Sequence, residues 1–113
     1  MKEVVQIVST ETLPGYEIEE VKGLVWGTTV RSKFFGKELV ATTRILMGGE
    51  IPEYVEMINE AKSFVIKKLV KNAKTLGANA VIGTRISTTS QVLPGAVEVT
   101  AFGTAVKVKK VKK

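Results

Sequence analysis

Glutamates gather at two places in this sequence: Glu17, Glu19 and Glu20 in "YEIEEV", and Glu53, Glu56 and Glu60 in "PEYVEMINE". Neighbouring carboxylates can hold a hard cation or exchange a proton with a substrate. The second group falls along one side of a helix, where glutamates ordinarily form a solvated face. A cation site built from glutamates of several subunits is a further option that no spacing points to. The acidic chemistry stops there, because all 11 acids are glutamate and the chain has no aspartate, cysteine or histidine. Disulfides, thiolate nucleophiles, imidazole bases and Cys/His zinc sites are excluded. Acid–base work is left to Glu, Lys, Tyr and Arg, and any metal would have to be held by oxygen ligands. No catalytic, cofactor-binding or metal-binding residue is assigned.

"MGGEIPEY", Met47 to Tyr54, sets two glycines before a helix start, where free N–H groups can receive an anion. No lysine or hydroxyl follows at phosphate-loop spacing, so a tight turn accounts for it better. Arg85, in mid-strand, is expected to face solvent or pair with Glu98 across the hairpin. Trp26 and Phe102 read as core or interface anchors rather than a ligand platform.

The net charge of +6 is concentrated in one place. "KVKKVKK", Lys107 to Lys113, holds five of the 17 basic residues, and without it 12 bases face 11 acids. Such a tail can touch phosphates. It contains no aromatic residue, and a solubilising terminus explains it more simply.

The elements that would position these residues make one α+β domain of residues 1–108, followed by a basic tail, 109–113. A chain of 113 residues has room for a single core. No stretch approaches the ~18 apolar residues of a membrane span, and "MKEVVQIVSTE" lacks a signal-peptide core. A cytoplasmic protein with no membrane partner is expected. "VVQIV", Val4 to Val8, reads as a strand, and Pro14-Gly15 as a turn. Gly23 to Arg31 is a second strand with Leu24, Trp26, Thr28 and Val30 on one face, where Gly27 marks a bulge or a close backbone approach. "SKFFGKELVATTRILMGG" has helical spacing through Phe35, Leu39 and Leu46, with Ser32 as N-cap, and predicts a shorter helix.

Ile51, Tyr54, Val55, Ile58, Ala61, Val65, Leu69, Ala73 and Leu76 form one stripe of a long helix. Pro52 suits its first turn and Gly77 its left-handed cap. Ala78 to Thr88 and Val97 to Val108 then read as an antiparallel hairpin turning near Pro94-Gly95. The prediction is an antiparallel sheet of about four strands under a helical layer. In the last strand Val97, Val99, Ala101, Gly103 and Ala105 form an apolar face. The opposite face mixes Glu98, Thr100 and Thr104 with Phe102 and Val106, and that mixture predicts contact between subunits.

"GGEIPEYVEMINEAK", "AKTLGANAVIGTRI" and "EVTAFGTAVKV" together resemble the YbjQ-like family, small proteins linked to heavy-metal binding. The resemblance runs from about Val8 to Val108. It implies a dodecin-like subunit in a ring-shaped homo-oligomer, a pentamer. It supplies no ligand set that maps onto this chain. The motif residues also have structural explanations: Gly77 as a cap, Ala78 and Ala80 for close packing, Gly103 for backbone approach, and Asn79 for nearby backbone groups.

Three functions follow in order. The first is a non-enzymatic oligomeric binding or scaffold protein whose partner is itself. The second is a weak nucleic-acid binder acting through Lys107 to Lys113. The third, an enzyme using glutamate or lysine, has no spacing behind it.

Overall fold

The computed structural model describes residues 5–32, 52–89 and 96–111. Along the chain they form β1 (Gln6–Ile7), β2 (Tyr16–Ser32), α1 (Pro52–Thr75), β3 (Ala80–Thr89) and β4 (Ala96–Lys110). Helix α1 begins at Pro52 and ends where a left-handed residue is needed. Gly77, at φ 83°, supplies that residue. Ala78 N–H donates to the Ala73 carbonyl at 3.0 Å and Gly77 N–H to that of Lys74 at 2.9 Å, the paired bonds of a Schellman cap. This cap lets the chain leave the helix and enter β3 within a few residues.

One stripe of α1 is buried. Ala61, Val65, Leu69 and Ala73 lose all contact with solvent, and Met57 nearly so. Met57 is an addition to the predicted stripe, whereas Val55 and Leu76 remain exposed. The helix lies over the face of β4 that carries Val97, Val99, Ala101 and Ala105, as its apolar alternation requires, with Val25 of β2 and Val81 of β3 completing the core. The small residues allow close approach. A Cβ built on Gly27 would stand 2.8 Å from Lys68 Cβ and 3.0 Å from the Val65 carbonyl oxygen. Gly27 therefore marks a close approach, and the β2 register runs through it without a shift.

The sheet order is β1-β3-β4-β2. β4 is antiparallel to both its neighbours, but β1 runs parallel to β3, with Gln6 opposite Ala80. The sheet is thus mixed, a correction to the all-antiparallel expectation. Val8 N–H donates to Val81 O at 2.9 Å and Thr84 N–H to Val8 O at 3.0 Å. Strand direction here is set by these long-range bonds, which the alternation of a two-residue strand does not encode.

Strand β2 is longer than predicted. Register shifts between Ile18 and Glu20 and between Val21 and Gly23 break the period of two, which hides the strand in the sequence. Glu17, Glu19 and Glu20 accordingly lie within β2 rather than before it. β4 likewise continues to Lys110, past the strand end expected at Val108. The predicted shorter helix, the Gly48-Gly49 stretch and the Pro94-Gly95 turn lie outside the described residues. Ser32, proposed as that helix's N-cap, is the last residue of β2.

Asn79 acts at longer range than expected. Its side-chain amide donates to Val108 O at 2.9 Å and its Oδ1 accepts from Val108 N–H at 2.8 Å, so one side chain replaces a strand partner. Asn79→Ala is expected to cost about 2 kcal/mol, since it strips partners from two part-buried backbone groups. Urea titration at fixed protein concentration checks this, and an unchanged midpoint would mean that water replaces the amide without loss.

Candidate functional site

Alternation along three paired strands lays out the sheet face turned away from α1. Register places Trp26 opposite Phe102, and Phe102 opposite Arg85 on its other side. The next row is Thr28, Thr100 and Ser87, in which the two threonine hydroxyls share a hydrogen bond of 3.0 Å. Beyond it come Val30, Glu98 and Thr89. Leu24, Trp26, Val30 and Phe102 are 64%, 57%, 53% and 38% exposed. Scattered apolar residues are ordinary on a protein surface, but a cluster with a tryptophan and a phenylalanine side by side is a candidate contact site.

This face is open over only part of its length. Val106, expected to share the exposed surface with Phe102, is fully buried. It joins Ala80 and Val108 in a second small core roofed by Leu13, Tyr16 and Ile82. The segment before β2 adds Leu13 to that roof by folding back: Gly83 N–H donates to Thr10 O at 2.8 Å and Tyr16 N–H to Leu13 O at 3.0 Å. The sequence carries no periodic signal for such docking, so Val106 could not be told from Phe102 by alternation.

The outer edge of β2 is blunted by the helix above it. Lys68 Nζ donates to Thr28 O at 2.9 Å and Asn72 Nδ2 to Trp26 O at 2.8 Å. Capping two edge carbonyls with side chains disfavours indiscriminate strand pairing there. Beside the cap, Leu24, Trp26, Asn72, Thr75 and Leu76 line a shallow groove of about 330 Å³. A larger one, about 650 Å³, runs along the first half of α1 past Arg31, Glu56, Glu60 and Phe64. The Arg31 guanidinium lies 4.9 Å and Lys68 Nζ 5.0 Å from the centre of the Phe64 ring. Sequence reasoning missed Phe64 because only its position between two cations distinguishes it from ordinary helix surface.

The other predicted residues disperse. Arg85 does not pair with Glu98, which stands opposite Thr89 and Val30. Its guanidinium instead donates to Ser9 O and Thr84 O, each at 2.9 Å, tying down the segment after β1. Lys107 and Lys109 are β4 residues opposite Glu20 and Glu17. Lys109 Nζ is 3.5 Å from Glu17 and 4.0 Å from Glu19, and Lys22 is 2.9 Å from Glu20. These exposed pairs add little stability, but they neutralise part of the lysine segment locally. Glu56 and Glu60 are exposed on α1. Among the described residues no three acidic side chains are grouped to hold a metal ion, and no helix is long and apolar enough to cross a membrane.

Residues 5–109 match the model of the YbjQ-like family, whose description reads "Putative heavy-metal-binding". Curated relatives are UPF0145 proteins. One from Thermotoga petrophila is 46% identical over 105 residues, 93% of this chain and 98% of its own length. Another from Archaeoglobus fulgidus is 44% identical over 109 residues, 96% of this chain and the whole of its own. A crystal structure of a Pediococcus pentosaceus protein of unknown function, described as a DUF74 family member, superposes with a TM-score of 0.58. It covers 93% of this chain and 98% of that one at 20% identity, a likeness of fold alone.

Proposed function

The chain belongs to the YbjQ-like (UPF0145) family, and from that premise we propose that it is a non-enzymatic binding or scaffold protein that works as a ring-shaped homo-oligomer in the cytoplasm. The observation that carries this reading is the open sheet face, where Leu24, Trp26, Val30 and Phe102 lie exposed on two paired strands. Aromatic anchors surrounded by hydroxyls, with few charges at the centre, have the composition of a subunit interface. A face of this kind that meets a different surface on the next copy generates a closed ring when the rotation between copies is a whole fraction of a turn. The family resemblance supplies the number, five, and the dodecin-like subunit arrangement.

The family description suggests a heavy metal, and the donor chemistry of this chain does not fit one. Heavy-metal sites are built chiefly on thiolate and imidazole ligands, and the sequence contains neither; of its thioethers, Met57 is buried in the apolar core. Glu17 and Glu19 share Lys109, which competes with any cation for their oxygens. No role is therefore assigned to a metal. Nucleic-acid binding through Lys107 to Lys113 is the second reading, and it loses support because Lys107 and Lys109 are strand residues facing glutamates.

Native mass spectrometry tests the ring. Wild-type protein is expected at a multiple of five 12.3 kDa chains, and Trp26→Lys is expected to abolish that multiple. A wild-type mass that is no multiple of five would sink the ring, as would a Trp26→Lys variant that keeps it.

A further inference from the structure

The exposed side of α1 carries charges whose order and spacing are matched about one point. Glu60 precedes Ser63 by three residues and Lys67 follows Phe64 by three. Glu56 and Lys71 each lie seven residues outside the same central pair, and Asn59 and Lys68 each four. At ~100° per residue, Glu56, Glu60, Ser63, Lys67 and Lys71 fall within one arc of the helix. All five are exposed, and the arc lies opposite the fully buried Val65 and Leu69.

We propose that this stripe docks antiparallel, about a two-fold axis through Ser63 and Phe64, against the same stripe of a second copy. Reversing the helix direction about that axis brings Glu60 opposite Lys67 of the partner subunit and Glu56 opposite Lys71 of the partner subunit. Each pairing occurs twice by symmetry, as an isologous contact demands. Within one chain Glu60 and Lys67 are separated by about 10 Å of helix rise, and Glu56 and Lys71 by about 22 Å, too far to pair. The macrodipole also favours acids early and bases late in a helix. That preference accounts for the order of the signs but not for their equal distances from one centre.

The centre itself suits a contact. Phe64 is 39% exposed and stands between Arg31 and Lys68. Those two cations would repel their symmetry mates unless acids face them. Glu60 of the partner subunit brings an acid to this centre, and the neutral amide of Asn59 of the partner subunit, rather than a further cation, stands opposite Lys68. The groove of about 650 Å³ beside Phe64 gives the second helix a place to sit. A shallow crossing near 20° keeps both ends of the stripe within reach.

This contact is separate from the sheet face and doubles whatever assembly that face builds. Charge reversal tests it by native mass spectrometry and by light scattering at low and molar salt. Glu60→Lys and Lys67→Glu are each expected to halve the assembled mass, with circular dichroism unchanged. The double variant, which restores opposite signs across the axis, is expected to recover it. High salt should halve the wild-type mass, because rim charges are screened beyond a Debye length. In the Trp26→Lys background the pairing predicts dimers. Monomers there, or single reversals that leave the mass unchanged, would overturn the helix contact. A dimeric wild type would instead retain it and refute the ring.

Discussion

Gly27→Ala is expected to lower the midpoint of thermal unfolding by about 10 °C, equivalent to ~2 kcal/mol for a domain of this size. Two effects of opposite sign compete at this position. Gly27 does not have a positive φ, so its backbone accepts alanine, and the reduced freedom of the unfolded chain would favour the variant by about 0.4–1 kcal/mol. Against that, the new Cβ would meet Lys68 Cβ at 2.8 Å, Val65 O at 3.0 Å and Leu69 N at 3.4 Å. Two of these atoms are helix backbone, so relief requires α1 to lift rather than one side chain to turn. Lifting α1 also strains the bonds from Lys68 and Asn72 to the edge of β2. The steric effect therefore outweighs the entropic one. A calorimetric scan at fixed protein concentration checks the sign, and a raised midpoint would show that the helix sits farther from the sheet than described.

Leu69→Ala is expected to cost about 3 kcal/mol and to shift the urea midpoint without changing the slope. Leu69 is the largest fully buried side chain, and its companions at zero exposure are valines and alanines. Met57, the long flexible side chain of this stripe, lies more than three helical turns away and cannot swing into the space left behind. The cavity term consequently adds to the lost transfer energy. A loss below ~1 kcal/mol would mean that α1 settles onto the sheet and closes the hole. Ala61, Ala73 and Ala101 make some settling geometrically possible, but the contact at Gly27 already stops the helix at its closest approach.

The sequence made the long helix legible because its buried stripe repeats with one period and both ends carry their own signals, Pro52 and Gly77. Strands β3 and β4 were legible for the same local reason. The first half of β2 was not, since its two register shifts put charged residues side by side and imitate a loop. The direction of β1, the roof over Val106 and the reach of Asn79 to Val108 all join residues distant in the chain. Local pattern is silent about such pairings, and these are the places where expectation and structure part. Of the candidate site, Leu24, Trp26 and Val30 could be read from alternation, as could the exposed Phe102. Arg85 was misassigned because a strand residue's partner depends on register: Glu98 stands opposite Thr89, four residues farther along β3, while Arg85 faces Phe102. The absence of Cys, His and Asp needed no structure to read, and it remains the firmest statement about chemistry.

The parallel pairing of β1 with β3 also bears on how the chain reaches this arrangement. β3 and β4 are neighbours in sequence and close a short hairpin, which is entropically easy. β1 has to wait for β3, because its ladder joins Gln6 to Ala80 across a loop that holds β2 and α1. Only two residues on each side form that ladder, so little is gained until the rest is in place. Synthesis runs from the amino terminus, so β1 leaves the ribosome well before the strand that seats it. Until then Val5 and Ile7, which end in the core, stay uncovered on a growing chain. A strand made early is thus secured late, once its distant partner exists.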